Sequence, residues 1–436
     1  METEVVLRPP EIPSKWDIIP IHSSDVSAFK RCRRYWDWNS PTRNNLRRRV
    51  EFYGISIAPW FGNGIHYALE MMYDPMLQRD PVEAFQTWYQ YQWEGGVVTE
   101  DWLERTYDVH AQAYDPDMDQ AFAMGAPDDV ISQGIAAEQS GQIRTYKIRG
   151  LRELLPDPID EEFEMHRQLG IGMLTYYKEW AKKNDDFVVV AAESTYSIPL
   201  GFEAVDQRED SPNYGKKLEV HARGKRDAVL YFPNYAEPTY GINDYKTAIK
   251  IGDEYSAKLA KDEQCSNYLW ATMQEAKLYD LPWQGHKVDR ILYTALRKNY
   301  PKPPTPLKNG FPSINRTTEG TTAELFRQYV ESDPMMVDWF KTDEKAQAYY
   351  NYLVNEGDKL FIIRDLVTRN KYEIQATGDH LVMIAKEMLN SPAIYPNPTG
   401  NYLCINCAFR QPCIAKDDGS DWQGMLLDGY EENRDR

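Results

Sequence analysis

Four cysteines constrain this chain more than any other feature. Cys32 stands alone near the start, in FKRCRRYW, while Cys404, Cys407 and Cys413 crowd together near the end, in CINCAFRQPC. The trio reads C-x2-C-x5-C, a spacing suited to metal ligation. A centre that took all four thiolates would force the two ends of a 436-residue chain together around whatever lies between them. The total of five cysteines is odd, and METEVVLRPPEIPSKWD has no apolar signal core. Both argue against a disulfide framework and for a reducing cytoplasm. The fifth, Cys265, is expected to be a free, buried thiol.

Composition narrows the function classes. Hydrophobic residues make up 42% and charged residues 27%, as in ordinary globular proteins. No run of about 18 apolar residues exists, so no membrane span is expected. A net charge of −17 disfavours a protein that coats nucleic acid, since phosphate neutralisation needs Lys and Arg. It leaves room for an enzyme with a local basic groove. Two basic groups stand out: Arg31, Arg33 and Arg34 with Arg43, Arg47, Arg48 and Arg49, and then Lys216, Lys217, Arg223, Lys225 and Arg226. Such groups are more often solvated surface than binding sites.

Periodicity predicts the elements. Residues 1–60 read as irregular apart from a helix over SSDVSAFKRCRRYW, with Ser24 and Asp25 as cap candidates. FGNGIHYALEMMY reads as a helix. Residues 82–185 read as mostly helical and acidic, with a loop over 113–129 and an amphipathic helix in HRQLGIGMLTYYKEWAKK. The pattern then turns to strands at DFVVVAAESTYSIPL, LEVHARGKRDAVLYF and TYGINDYKTAI. A helix at DEQCSNYLWATMQEAK, a strand at KVDRILYTALRK, a proline-rich loop from Asn299 to Ser313 and a helical stretch over 321–390 follow. This order indicates an α/β or α+β core.

The chemistry lies in the middle hairpin. A turn from Pro233 to Pro238, with no bulge, places Asp227 opposite Asp244. Lys246, two residues on, points to the same face, and Tyr245 points away. Like charges in that position are destabilising unless something neutralises them. A hard divalent cation does so, and can polarise a phosphate and acidify a bound water. The bland reading is a surface Asp–Lys pair. His66, with Glu70 one turn later, follows the small residues Gly62 and Gly64, which allow close backbone approach. Gln264 and Tyr268 share one helix face, where an amide and a phenol could hold a nucleic-acid backbone or base.

Taken together and in order, His66 in GNGIHYALE, Glu193 in VVAAESTYSIPL, Asp227 in GKRDAV, Asp244-Tyr245-Lys246-Thr247 and the pair Gln264 and Tyr268 resemble the PD-(D/E)XK nuclease superfamily in its RecB-like branch. With the cysteine bracket, the chain is similar to the iron–sulfur version of that branch, which includes the AddB nuclease domain and CRISPR-associated RecB-like exonucleases. The absence of a GxxxxGK[ST] loop makes it look like the free-standing exonucleases of bacteriophages.

The resemblance implies an α/β restriction-endonuclease-like core, with a mixed central sheet flanked by helices. It implies five segments: 1–75 with Cys32 and the His66 helix, a helical insertion over 76–185, the nuclease core over 186–300, a helical region over 301–390, and an iron–sulfur segment over 391–436. His66, Asp227, Asp244 and the Tyr245 carbonyl would bind Mg2+ or Mn2+, Lys246 would position the attacking water, and Glu193 would assist. Gln264, Tyr268, Arg31, Arg33 and Arg34 would meet DNA. Cys32, Cys404, Cys407 and Cys413 would hold a [4Fe-4S] cluster, favoured over zinc by the x5 spacing and the remote fourth ligand. The expected function is DNA exonuclease action in recombination, repair or end processing. It would take place in the cytoplasm, a host's if the source is viral, beside an annealing protein or helicase. The rival expectation is an iron–sulfur or zinc-stapled DNA-binding or assembly protein with little or no catalysis.

Overall fold

The computed structural model describes residues 13–99, 102, 105, 145–208, 211–252, 257–258, 262–316, 320–390, 394–400 and 402–433. Its frame is a six-stranded mixed sheet. Strand β1 is Ile19–Ile21; β5, β6, β7, β8 and β9 are Val188–Val205, Lys217–Phe232, Thr239–Ala248, Lys287–Arg297 and Ile362–Thr368. Two ribbons lie outside the sheet: β2 (Leu46–Arg48) pairs with β10 (Tyr430–Glu432), and β3 (Gly95–Thr99) with β4 (Thr145–Arg149).

Strand β6 organises the sheet. Strand β5 runs antiparallel along one of its edges. The other edge is divided: β1 pairs in parallel with Val220–Ala222, and β7 pairs antiparallel with Ala228–Phe232. Among the described residues, nothing pairs in the ladder with Arg223–Asp227 on that edge. The sheet continues through β8, parallel to β7, to β9, antiparallel to β8.

The helices used below are α1 (Ser23–Arg31), α2 (Arg33–Asn39), α3 (Ile57–Tyr73), α4 (Pro81–Glu94), α5 (Asp160–Asn184), α6 (Glu263–Leu278) and α7 (Lys371–Asn390). Their ends follow elementary capping chemistry. Asp80 caps α4 through the Val82 and Glu83 amides with Pro81 in the first turn, and Asp262 caps α6 through the Cys265 amide. Helix α5 carries Asp160, Glu161 and Glu162 in its first turn and Lys182 and Lys183 in its last, as the helix dipole favours.

Each face of the sheet has its own core. One joins Phe29, Trp36, Tyr268, Leu269, Leu381 and their neighbours from α1, α2, α6 and α7. The other joins Phe61, Ile65, Phe85, Trp88, Met173 and Tyr177 from α3, α4 and α5, with Tyr245 and Leu296 from the sheet. Burying each such large side chain stabilises the fold by roughly 1.5–3 kcal/mol.

Several expectations need correction. The helix expected over SSDVSAFKRCRRYW is two helices that break at Cys32, whose backbone is extended. Its cap is His22, and Asp25 sits three residues in, accepting the His22 backbone N–H at 3.0 Å. The mostly helical stretch over 82–185 also carries ribbon β3–β4, which the chain enters at Gly95 and Gly96. The helical region over 301–390 contains sheet strand β9, whose sequence IIRDLVT has the β-branched run of a strand. Strands from residues 19–21 and 362–368 both join the sheet built mainly by 186–300. The loop expected over 113–129 lies outside the described residues.

Candidate active site

The hairpin has the register that the turn demands. Ala228 pairs with Asn243 and Phe232 with Thr239, leaving 233–238 as the turn. One step beyond Ala228 and Asn243 the ladder opens. Asp227 Oδ2 accepts the Tyr245 backbone N–H at 2.7 Å, and Asp244 turns to Lys246. Lys246 Nζ donates to Asp244 Oδ1 at 3.0 Å and lies 2.8 Å from Oδ2, in a direction that makes no hydrogen bond. Asp244 is fully buried. Tyr245 goes to the opposite face and stacks on Tyr73.

Strand β5 adds a third acid. Ala192 pairs with Ala228 and Ser194 with Arg226, so Glu193 stands across from Asp227. Its backbone has φ 45°, a conformation that costs a non-glycine residue of order 1–3 kcal/mol and is retained where surroundings over-determine it. Lys225, on β6, places Nζ 2.9 Å from Glu193 Oε2.

Helix α3 supplies His66, whose Nδ1 lies 3.5 Å from Asp227 Oδ2. Glycines let the helix close in. A Cβ on Gly62 would stand 3.4 Å from Thr247 Oγ1, and one on Gly64 would strike the Trp88 ring at 2.4 Å. Glu70, one turn after His66, is buried and bonded to Arg105 at 3.1 Å.

Electrostatics set the protonation states. Burial pushes Glu193 up to about 7, against the pull of Lys225. Burial likewise pushes Asp244 up to about 6, outweighing Lys246. Asp227 goes the other way: burial opposes it, yet His66, Lys246 and the Tyr245 N–H together hold its carboxyl below the usual range. His66 is penalised by burial but raised overall by the Asp227 charge. Lys246 is raised because Asp244 and Asp227 outweigh its own burial.

This donor set fits a hard divalent cation. The ligand atoms of His66, Glu193 and Asp227 all lie within 4.8 Å of one another, the one such group among the described residues. Asp244 Oδ2 is buried without a hydrogen bond, and buried like charges need a counter-ion.

Gln264 and Tyr268 meet: Gln264 Nε2 donates to the Tyr268 hydroxyl at 2.7 Å. The ring sits where the Asp227 and Asp244 charges reach it. The three arginines expected to meet DNA all have partners within the chain. Arg34 is 7% exposed and its guanidinium reaches Asp417 at 2.7 Å and Cys413 Sγ at 3.3 Å. Arg33 pairs with Glu387 at 2.6 Å, and Arg31 lies over the Tyr35 ring. Arg33 and Arg34 thus bind the C-terminal half of the chain.

The two ends of the chain do meet. Besides ribbon β2–β10, Arg47 pairs with Glu431 at 2.8 Å and Arg48 donates to the Ala408 carbonyl at 2.8 Å. Trp38, Phe409 and Tyr430 form a small core there, with Cys407 and Cys413 against it. Cys407 and Cys413 are partly buried within electrostatic reach of Cys32, while Cys404 is exposed. Cys265 is free and buried.

The sequence profile of the PD-(D/E)XK nuclease superfamily matches residues 151–414, from just before α5 to the third cysteine of the trio. The chain belongs to this superfamily. Its activity class is therefore that of a metal-dependent nuclease, built on a mixed sheet flanked by helices. No curated protein matches the chain.

Two residues of the second basic group belong to the site. Lys225 is one; its signal is its position two residues before Asp227. Arg226 is the other. It is buried, with Nε donating to Ser194 Oγ and Nη1 to Thr272 Oγ1, both at 2.8 Å, and Nη2 lying 2.5 Å from Glu275 Oε2. It locks β5 and β6 to the helix carrying Gln264 and Tyr268.

Proposed function

We propose that the protein is a RecB-like, iron–sulfur DNA exonuclease that hydrolyses phosphodiester bonds at the Asp227–Asp244–Lys246 site. The observation that carries this reading is the convergence of those three side chains with His66 and Glu193 at the point where the β6–β7 ladder opens.

His66, Asp227, Asp244 and the Tyr245 carbonyl would hold Mg2+ or Mn2+. When bound, such an ion polarises the phosphoryl oxygen and makes an attacking water more acidic. Lys246, raised by its two aspartates, stays protonated at neutral pH and acts as a donor that orients the water and offsets developing negative charge. Glu193, within 4.8 Å of the His66 and Asp227 ligand atoms and paired with Lys225, would assist at the edge of the metal site. Gln264 and Tyr268, already hydrogen-bonded to each other, present an amide and a ring to the strand being cut.

Cys32, Cys404, Cys407 and Cys413 would hold the [4Fe-4S] cluster. Ribbon β2–β10 and the arginine contacts join the ends independently, so the cluster reinforces a junction that side chains already make. The activity belongs to DNA-end processing for recombination or repair in the cytoplasm, or in a host's cytoplasm for a viral source. An annealing protein or helicase would be its partner.

End-labelled DNA tests this. With Mn2+, release of label from one end as nucleotides or short fragments supports exonuclease action, and a ladder of internal cuts refutes it. A brown, iron-containing preparation supports the cluster; a colourless, zinc-loaded one overturns it.

A further inference from the structure

The basic group from Lys216 to Arg226 divides into different roles. Lys225 pairs with Glu193, Arg226 is buried against Glu275, and Lys216 bonds to Asn213. Arg223 has no carboxylate partner among the described residues. Its Nη1 donates to the Pro13 carbonyl at 3.1 Å, and partial burial without a counter-charge lowers its pKa. The β5–β6 ladder is unbroken from Thr195↔Lys225 to Ser197↔Arg223, so Arg223 and Lys225 share a face. At about 3.3 Å per residue, Arg223 lies roughly 13 Å along β6 from Asp227.

Arg223 opens onto a cavity of about 640 Å³ lined also by Lys15, Trp16, Arg43 and Tyr214. The walls are built. Arg208 is buried in an ion pair with Asp206 at 2.8 Å, donates to the Ile18 carbonyl at 2.8 Å and reaches the Lys15 carbonyl as well. Asn213 Nδ2 donates to the Trp16 carbonyl at 2.9 Å. The strip from Lys15 to Ile18 is thereby pinned against the loop that carries Tyr214. Inside, the Tyr214 side chain is 59% exposed and Lys15 lies over the Trp16 ring. Arg43 reaches in from an ion pair with Asp37. Glu432 is the one carboxylate among the described lining residues.

On a chain of net charge −17, Arg223 and Lys15 have no carboxylate partner among the described residues and stand beside the exposed Tyr214 ring. They attract a polyanion that has free base faces to stack, which is a single strand; a duplex keeps its base faces covered. We propose that this cavity is the binding subsite for the single-stranded tail of the DNA substrate, with backbone phosphates on Arg223 and Lys15 and a base on Tyr214. At about 3.4 Å per stacked nucleotide, the subsite begins roughly four nucleotides from the scissile phosphate. This deepens the nuclease reading and rests on it.

The test uses the full-length protein with Mn2+ and thymidine oligonucleotides of about 4 to 20 residues, beside a blunt duplex. Wild type should gain kcat/KM with length until the tail fills the cavity. The variant Arg223→Gln/Tyr214→Ala should raise KM about ten-fold on the long single strands, through lost stacking and charge. It should leave the shortest oligonucleotides and the blunt duplex unchanged. Arg223→Gln alone should flatten the dependence of log affinity on log salt by about 0.7, one phosphate contact on a single strand. The proposal is overturned if the double variant keeps the wild-type KM and length dependence, or if it loses equally on short, long and duplex substrates. Tyr214→Ala replaces an exposed side chain, so its effect is separable from misfolding. Should wild type cut nothing, the nuclease reading falls. The affinity of a fluorescein-labelled single strand for wild type against the double variant then still decides the subsite.

Discussion

Replacing Glu193 by glutamine exchanges an ionisable carboxyl for a neutral group of nearly the same shape. Burial has pushed this carboxyl from an ordinary value of 4.5 up to about 7. In the metal-free protein the folded state therefore keeps a proton that the unfolded chain loses. The resulting stability is fully present below about pH 4.5 and is lost as pH rises through 7. A rise of about 2.5 pKa units, at roughly 1.36 kcal/mol each, makes the ionised side chain cost on the order of 3 kcal/mol at pH 8. Glutamine avoids that cost and keeps the same backbone strain, so the variant should be the more stable protein at pH 8 and no more stable at pH 4.5. For a chain of 436 residues, a melting entropy near 2.1 cal/mol/K per residue converts 3 kcal/mol to about 3 °C. The assay is thermal unfolding in a chelator at pH 4.5 and pH 8, repeated with saturating Mn2+. The ion should cancel or reverse the pH 8 difference, because it supplies wild type with the missing counter-charge. An equal shift at both pH values, or a loss at pH 8 without metal, refutes the reasoning.

Three further outcomes follow from the packing. Arg226→Met leaves the buried Glu275 uncompensated and should lower stability by about 3–5 kcal/mol in urea unfolding, while Arg226→Met/Glu275→Leu should recover most of it. Gly64→Ala drives a methyl into the Trp88 ring and should lower stability by about 1–3 kcal/mol, with activity falling further because α3 carries His66. Cys32→Ala should remove the visible absorbance of the proposed cluster and lower the melting temperature. Limited proteolysis should still find the two ends joined, since ribbon β2–β10 and the Arg34–Asp417 and Arg47–Glu431 pairs remain.

The hairpin was legible because its information is local. The Pro233–Pro238 turn fixes the register, and a two-residue period then places Asp227, Asp244 and Lys246. His66 was legible through its glycines, which let α3 reach β7. The arginines around Cys32 were not. Sequence shows their charge but not that Asp417, Glu387 and Glu431, hundreds of residues away, would neutralise it. Strand β1 has three residues and β9 is a short run between helices, so neither carries a periodic signal long enough to separate strand from helix. The left-handed backbone of Glu193 and the locking role of Arg226 depend on three elements packing together. No local pattern encodes them.

The central claim is that Asp244 and its neighbours form a metal-dependent hydrolytic site. It is tested most directly by incubating end-labelled DNA with wild type and Asp244→Ala, each with Mn2+ and with a chelator. Wild type should cut only with the ion. The variant should be slower by on the order of 1,000-fold or more, the loss of several kcal/mol of transition-state stabilisation. Equal cleavage by both proteins, or wild-type cleavage in the chelator, would contradict the account.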